Sequence, residues 1–180
     1  LEELARPRDQ SRLDQPDIGQ PAVVAVQIAL SALWRSWGLD FAVVSGHGSG
    51  EVAAAHVAGI LDLADAMRVI VQRGRAMQRA SLRGGGEAPR ALTGLSCRQG
   101  SIPIVATQTG RMAQGWEFDE TYWTRNIGET EPFAPAIQTL VDEGFDMFLE
   151  VSPQPLACSL VADCASARNR HAGGSDGLDV

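Results

Sequence analysis

The feature that most constrains the fold is a short apolar run that leads through a glycine-rich turn into an alanine-rich helix. Residues 41–45, Phe-Ala-Val-Val-Ser, are apolar and rich in β-branched side chains, which is typical of a buried parallel strand. Gly46-His-Gly-Ser-Gly50 follows at once, and residues 51–58 have helical character. A bend this sharp requires glycine. The sequence therefore predicts a buried strand joined to a helix by a tight turn.

The rest of the chain alternates between helical patterns and short apolar strands. Strands are predicted over 41–45, 102–106 and 145–151. Helices are predicted from about Gln20 to Trp37, over 51–58, from Asp62 to about Ala80, around Tyr122 and Trp123, over 133–141, and from Pro153 to about Asp163. This alternation predicts an α/β fold with three layers, in which helices cover both faces of a mostly parallel sheet.

The pattern divides the chain into one folded domain with two irregular ends. Residues 1–18 are polar and interrupted by prolines, and we expect an irregular entry segment there. The α/β domain is predicted over 19–164, with a flexible glycine-rich loop at 81–101. The small polar residues of 165–180 predict a disordered tail.

Charge and composition exclude several classes of function. The 180 residues carry a net charge of −7, which argues against a nucleic-acid surface. All 15 basic residues are arginine, so lysine chemistry is excluded. The three cysteines form no CxxC motif, and a reduced, cytoplasmic compartment is the simplest interpretation. The absence of an apolar run of about 18 residues predicts no membrane span, and no metal site is predicted.

The glycine-rich turn has the frame of a nucleophile elbow but not its nucleophile. In Gly-x-Ser-x-Gly, the central serine projects its hydroxyl above the sheet, and backbone N–H groups at the helix start stabilise an oxyanion. Here the flanking glycines are Gly46 and Gly50, and the central residue is Gly48. Ser49 comes one residue later, where its ordinary role is that of a polar residue at a helix N-terminus.

Four segments resemble one enzyme family. The turn and its helix resemble the Gly-His-Ser-x-Gly-Glu signature of malonyl and acyl transferases in modular polyketide and fatty-acid synthases. Arg73-Gly-Arg-Ala-Met77 resembles the family's Arg-Gly-Arg motif. Tyr122-Trp-Thr-Arg-Asn126 and Phe148-Leu-Glu-Val-Ser-Pro153 match its C-terminal part. The segments occur in family order, so the chain is identified as a member, from a type I polyketide synthase.

The resemblance implies a substrate, partners and an anion-binding residue. The family transfers a malonyl-type unit from coenzyme A to the phosphopantetheine thiol of a carrier protein, using a serine nucleophile and a histidine base and binding no cofactor. Ketosynthase and acyl carrier domains are the implied partners. Arg73 matches the arginine that pairs with the extender carboxylate. Its spacing with Ala66 and Ile70 predicts an inward direction, where helix carbonyls or an internal carboxylate could also be its partner.

The chain departs from the family where catalysis is concerned. Gly48 replaces the serine, and His47 belongs to the elbow, where it is not the base. His56 is predicted to be a packing residue of the following helix, and His171 lies in the predicted tail. The loop at 81–101 stands where the family has a ferredoxin-like small subdomain, so the fold is expected to resemble the large subdomain alone. The opening strand that carries the oxyanion glutamine is not found within these residues.

Three hypotheses follow from these departures. The first is a truncated, degenerate acyltransferase domain that is non-catalytic and serves as a structural or docking part of a synthase. The second is an active malonyl/acyl-CoA:carrier-protein transferase that uses Ser49 or parts supplied by a partner. The third is an unrelated serine hydrolase.

Overall fold

The structure of the protein is a computed structural model that describes residues 2–83, 92–129, 132–153, 155 and 157–173. Within these residues, helices alternate with three short strands. In chain order the elements are α1 (Pro16–Ser36), β1 (Val44–Ser45), α2 (Ser49–Val57), α3 (Leu63–Arg83), β2 (Ile104–Ala106), β3 (Arg111–Ala113), α4 (Glu120–Gly128), α5 (Ala134–Asp142) and α6 (Cys158–Gly173). Short 3₁₀ turns occur at Glu3–Ala5 and Gly115–Glu117.

The three strands form one small sheet in the order β1-β2-β3. β1 and β2 are parallel, with Val44 opposite Ile104. β2 and β3 are antiparallel, with Ile104 opposite Ala113. The predicted α/β class is confirmed, and the parallel pair joins the two segments that the sequence predicted as strands at 41–45 and 102–106.

Helices cover both faces of the sheet, as predicted. Successive side chains of a strand point to opposite faces, and β2 divides the core accordingly. Ile104 packs into a cluster with Val24 of α1, Ile70 of α3 and Trp123 of α4. Val105 belongs to a second cluster, which is built from α5 and α6. The sheet is thus the middle of three layers.

Two predictions about strands were wrong. Residues 145–151 have no strand structure, and Met147 within them is 86% exposed. Its half-buried neighbours Phe145 and Phe148 pack on the α5 side of the sheet, but no described strand pairs with the segment. Conversely, β3 was not predicted as a strand. It follows a turn at Gly110, whose N–H donates to Ala106 O at 2.8 Å, and it forms a hairpin with β2.

Helix boundaries differ from the predicted ones by a few residues. α1 begins at Pro16, inside the predicted entry segment 1–18. α3 continues to Arg83. α6 begins at Cys158 rather than Pro153, and it includes residues 165–173 of the predicted tail. Residues 84–91 of the predicted loop and 174–180 of the tail lie outside the described residues.

Helix α1 is apolar along most of its length. It is the single helix among the described residues that could cross a membrane by length and composition. Its inner side packs against α2 and α3, and length and composition alone do not distinguish a membrane span from a helix of a globular protein. The feature is therefore weak evidence for a membrane span.

Candidate functional site

The turn between β1 and α2 has the backbone bend of a nucleophile elbow. Gly48 precedes the first residue of α2 and adopts φ 59° and ψ −114°. A residue with a Cβ is strained in this region, whereas glycine adopts it readily. At Gly46, a Cβ would lie 2.2 Å from the Gly50 carbonyl carbon, so the turn closes only with glycine there. The elbow is thus folded, but the residue at its centre carries no reactive group.

Arg73 of α3 lies against this bend. Its side chain is buried, with 7% of the residue exposed. Nη1 donates to the backbone carbonyl of Asn126 and, at 3.0 Å, to Asn126 Oδ1. Nη2 lies 3.2 Å from the point that a Cβ on Gly48 would occupy. The inward direction predicted for Arg73 is confirmed, and its guanidinium faces the centre of the elbow.

Glu51, in the first turn of α2, is a fully buried carboxylate. Oε1 accepts hydrogen bonds from Thr107 N at 2.7 Å and from the Tyr122 hydroxyl at 2.5 Å. Oε2 accepts from Asn126 Nδ2 at 2.7 Å. Glu51 therefore joins α2 to the end of β2 and to α4, and it shares Asn126 with Arg73.

Glu51, Arg73, Tyr122 and Asn126 form a largely buried polar cluster, and burial has the largest effect on the pKa values of its ionisable groups. Desolvation raises the pKa of the Glu51 carboxyl, although the donors from Thr107, Tyr122 and Asn126 oppose the shift. Desolvation, followed by the Glu51 charge, raises the pKa of Tyr122, so its hydroxyl stays protonated and donates. Burial lowers the pKa of Arg73, and the Glu51 charge opposes that shift. Arginine nevertheless remains a cation at neutral pH.

The two histidine side chains that the structure describes both have partners. His47 is exposed, and its ring stacks on Phe133 with the ring centroids 5.5 Å apart. His56 lies near the far end of α2, roughly 10 Å along the helix from Ser49, and its Nδ1 contacts Leu61 O at 3.0 Å. His171 falls within helix α6.

Ser49 is the remaining residue that the sequence analysis considered as a nucleophile. Ser49 is the first residue of α2 and is half-buried, one residue beyond the centre of the bend. Among the described side chains, no group of three or more His, Cys, Asp or Glu residues could hold a metal ion.

Glu51 and Asn126 are the members of the cluster to which sequence reasoning gave no role. Each appeared only inside a quoted motif. The available signal was local, because the charged residue Glu51 directly precedes an apolar stretch of α2, Val52-Ala-Ala-Ala55. A carboxylate in such surroundings is buried only when it has donors, but the sequence does not show where those donors come from.

Comparison with known proteins decides the family. Residues 1–107 match the family model described as the acyl transferase domain. The chain belongs to this family. That membership excludes the unrelated serine hydrolase.

Known relatives of this acyl transferase domain are parts of polyketide synthases. It is 31% identical to Erythronolide synthase EryA2 of Saccharopolyspora erythraea, in an alignment that covers 84% of this chain and 6% of the relative. It is 29% identical to the spectinabilin polyketide synthase system protein NorA of Streptomyces orinoci, covering 80% of this chain and 12% of the relative.

Solved acyltransferase domains share the fold. The domain from module 8 of the salinomycin polyketide synthase superimposes with a TM-score of 0.76 at 26% identity, covering 87% of this chain and 54% of that one. A loading acyltransferase from the avermectin modular polyketide synthase gives 0.79 at 26% identity, covering 93% and 77%. This acyl transferase domain therefore spans about half the length of the first of these structures.

The missing length is partly internal. The alignment with EryA2 runs over 225 positions, many more than the 84% of 180 residues that it draws from this chain. The relative therefore contains residues that have no counterpart inside the aligned part of this acyl transferase domain. The fold accordingly corresponds to part of the large subdomain of its relatives.

Proposed function

We propose that this acyl transferase domain is non-catalytic and serves as a structural or docking part of a polyketide synthase. The observation that carries the proposal is Gly48, which occupies the centre of a folded elbow and has no side chain. Acyl transfer through a covalent intermediate requires a nucleophile at that point. The backbone retains the bend, while the group that would attack the thioester is missing.

The positions of the histidines support the same conclusion. A hydroxyl nucleophile needs a base within hydrogen-bond reach, about 3 Å. The His47 ring stacks on Phe133, and His56 is bound to the Leu61 carbonyl at the other end of α2. Restoring a hydroxyl at position 48 would therefore not by itself restore turnover.

The domain's partners and ligands follow from its relatives. The curated relatives are multidomain synthases, so neighbouring ketosynthase and acyl carrier domains are the proposed partners, in the cytoplasm. Malonyl-CoA and carrier-bound phosphopantetheine are the substrates implied by the family. We propose Arg73 as the residue that would bind the carboxylate of such an acyl group, because its guanidinium is directed at the elbow.

A transfer assay tests the proposal. Purified chain is incubated with malonyl-CoA and a phosphopantetheinylated carrier domain, and the carrier is weighed by mass spectrometry. The expected result is no more malonyl-carrier than in a reaction without the chain. The Gly48→Ser variant is also expected to give no turnover, because the His47 ring is stacked on Phe133 and His56 is bound to the Leu61 carbonyl. Malonyl transfer by the unmodified chain would overturn the proposal.

The second candidate function is a transferase that uses Ser49. It is favoured by one observation, that Ser49 lies at the N-terminus of α2 directly after the bend. Peptide mapping after incubation with malonyl-CoA would find an acyl group on Ser49, and Ser49→Ala would abolish it. Acylation that survives Ser49→Ala would exclude Ser49 and would require a different nucleophile.

A further inference from the structure

We propose that Asn126 and Glu51 are positioning residues that hold the guanidinium of Arg73 over position 48. The inference deepens the proposed function and rests on it, since a fixed arginine matters there only if the elbow receives an anionic group. The three residues are far apart in the sequence. Arg73 comes from α3, Asn126 from α4 and Glu51 from α2, so the fold alone brings them together.

Asn126 holds one side of the guanidinium with two acceptors. Its backbone carbonyl and its side-chain Oδ1 both accept hydrogen bonds from Arg73 Nη1. Asn126 is itself buried, with 6% exposed, because α4 packs against α3. An arginine side chain has several rotatable bonds and loses considerable rotamer freedom when it is fixed. Two acceptors on one buried residue select a single orientation.

Glu51 determines which way the Asn126 amide points. The carboxylate can only accept, so the amide must turn its Nδ2 donor toward Glu51 Oε2. That orientation leaves Asn126 Oδ1 facing Arg73, which can only donate. If the amide were reversed, a donor would face the guanidinium and an acceptor would face the carboxylate. Glu51 thus acts on Arg73 through Asn126.

The Nη2 group of Arg73 is directed at the elbow. Nη2 lies 3.2 Å from the place of a Cβ on Gly48 and donates to no described residue. Nε is buried without a hydrogen-bond partner among the described residues. Nη2, which faces position 48, is therefore available to an anion, whereas Nη1 is held by Asn126.

A thiol placed at position 48 reports where the guanidinium is. Gly48→Cys puts a titratable group next to Arg73 Nη2, and a cation at this distance lowers a thiol pKa by roughly 1–3 units. The pKa is read from the pH dependence of alkylation, with peptide mapping by mass spectrometry to separate the new thiol from Cys97, Cys158 and Cys164. No substrate is needed, so failure here is distinguishable from failure in the transfer assay.

The inference predicts a specific order of shifts in the Gly48→Cys background. Arg73→Ala raises the thiol pKa by roughly 1–3 units, and Asn126→Ala raises it by at least half as much. Glu51→Gln also raises it, whereas the simple loss of a negative charge would lower it. Arg68→Ala is the matched control: Arg68 lies on the same helix, is exposed and is paired with Asp65, so the thiol pKa is expected to stay unchanged.

Two outcomes would overturn the inference. The first is an Asn126→Ala variant that lowers Tm but leaves the thiol pKa unaltered, which would make Asn126 merely structural. The second is measured in the chain with Gly48 retained, in case Gly48→Cys does not fold. There, ¹⁵N-arginine NMR follows solvent exchange of the Arg73 N–H groups, and we expect Asn126→Ala to speed it at least tenfold. Unchanged exchange would contradict the positioning role.

Discussion

Glycine at position 48 separates two properties that a serine would combine, the strained bend and the reactive hydroxyl. The bend depends on φ 59° and ψ −114°, which cost free energy for any residue with a Cβ. A catalytic site maintains such strain because the reaction needs it. With glycine the bend persists without that cost, so the elbow is no evidence for activity.

Substitution of Gly48 should therefore destabilise the fold. Gly48→Ala is expected to lower the free energy of unfolding by about 1–3 kcal/mol, because alanine must adopt a positive φ. Gly128→Ala is the matched control, since Gly128 is helical and a Cβ there meets nothing within 4 Å. It should leave the free energy unchanged or raise it by up to about 1 kcal/mol. Equal effects in urea unfolding would contradict the strain argument.

The buried carboxylate of Glu51 should make stability depend on pH. Its pKa is raised above the ordinary 4.5 in the folded state, so the folded protein holds this proton more tightly than the unfolded chain. The contribution of Glu51 is therefore complete below pH 4.5 and is lost as pH rises through the folded pKa. Compared with Glu51→Gln, the unmodified chain should lose relative stability as pH rises above 4.5. Urea unfolding of both proteins at a series of pH values below and above 4.5 provides the measurement. An unmodified chain that gains stability relative to Glu51→Gln as pH rises would contradict the shift.

Sequence reasoning located the site better than it described it. The helical spacing of Arg73 with Ala66 and Ile70 was sufficient to predict burial, and the glycine frame was sufficient to predict the bend. The partners of Arg73 were left open, because the acceptor that the structure shows, Asn126, is 53 residues away. Long-range hydrogen bonds depend on how helices are packed, which a local pattern does not record.

Among the elements, helix α4 carries the most information about the site. It provides Tyr122, Trp123 and Asn126 from a single nine-residue helix. Its N-terminus is capped by Asp119, whose Oδ1 accepts from Tyr122 N at 2.8 Å. The capped start of the helix therefore fixes where Tyr122 and Asn126 lie along the helix axis, and both contact Glu51.

Removing this cap should weaken the fold at the site. Asp119→Ala is expected to cost about 1 kcal/mol of unfolding free energy, because the cap is lost. Asp119→Ser retains a capping oxygen and should recover most of that loss. Thermal or urea unfolding of the pair provides the test. A serine variant no more stable than the alanine variant would show that the cap contributes nothing.

The errors at the element scale have a common physical cause. Residues 145–151 have the composition of a strand, but a strand forms only where a neighbour supplies hydrogen bonds, and the described sheet supplies none there. The opposite error occurred at β3. Arg111-Met-Ala113 does not have the composition of a strand, but the turn at Gly110 places it alongside β2, which supplies the hydrogen bonds. Helices need no such partner, and their existence was predicted more reliably than that of the strands.

At the scale of the whole molecule, much apolar surface is uncovered. Large apolar side chains at the C-terminal end of α1 and just after it are exposed, among them Leu33, Trp34 and Trp37, and the exposed fraction of Trp37 is 66%. β1 is an end strand in the sheet order and has one unpaired edge among the described residues. Exposed apolar patches and open sheet edges promote association. The isolated chain is therefore expected to be poorly soluble or to depend on a neighbouring domain.

Sedimentation velocity tests this expectation. The purified chain should form concentration-dependent assemblies, and Trp37→Gln should reduce them without lowering Tm, because Trp37 makes little core contact. Arg35→Gln, in the exposed last turn of α1 beside Trp37, controls for a general change in surface and should have no such effect. A monomeric sample with a single cooperative unfolding transition would contradict the expectation.

The most direct test of the whole account is the intact mass of the unmodified chain after incubation with malonyl-CoA. A domain with glycine at the centre of its elbow has no side chain there to acylate, so the mass should remain that of the free polypeptide. A malonyl adduct, mapped to any side chain of this protein, would contradict the account.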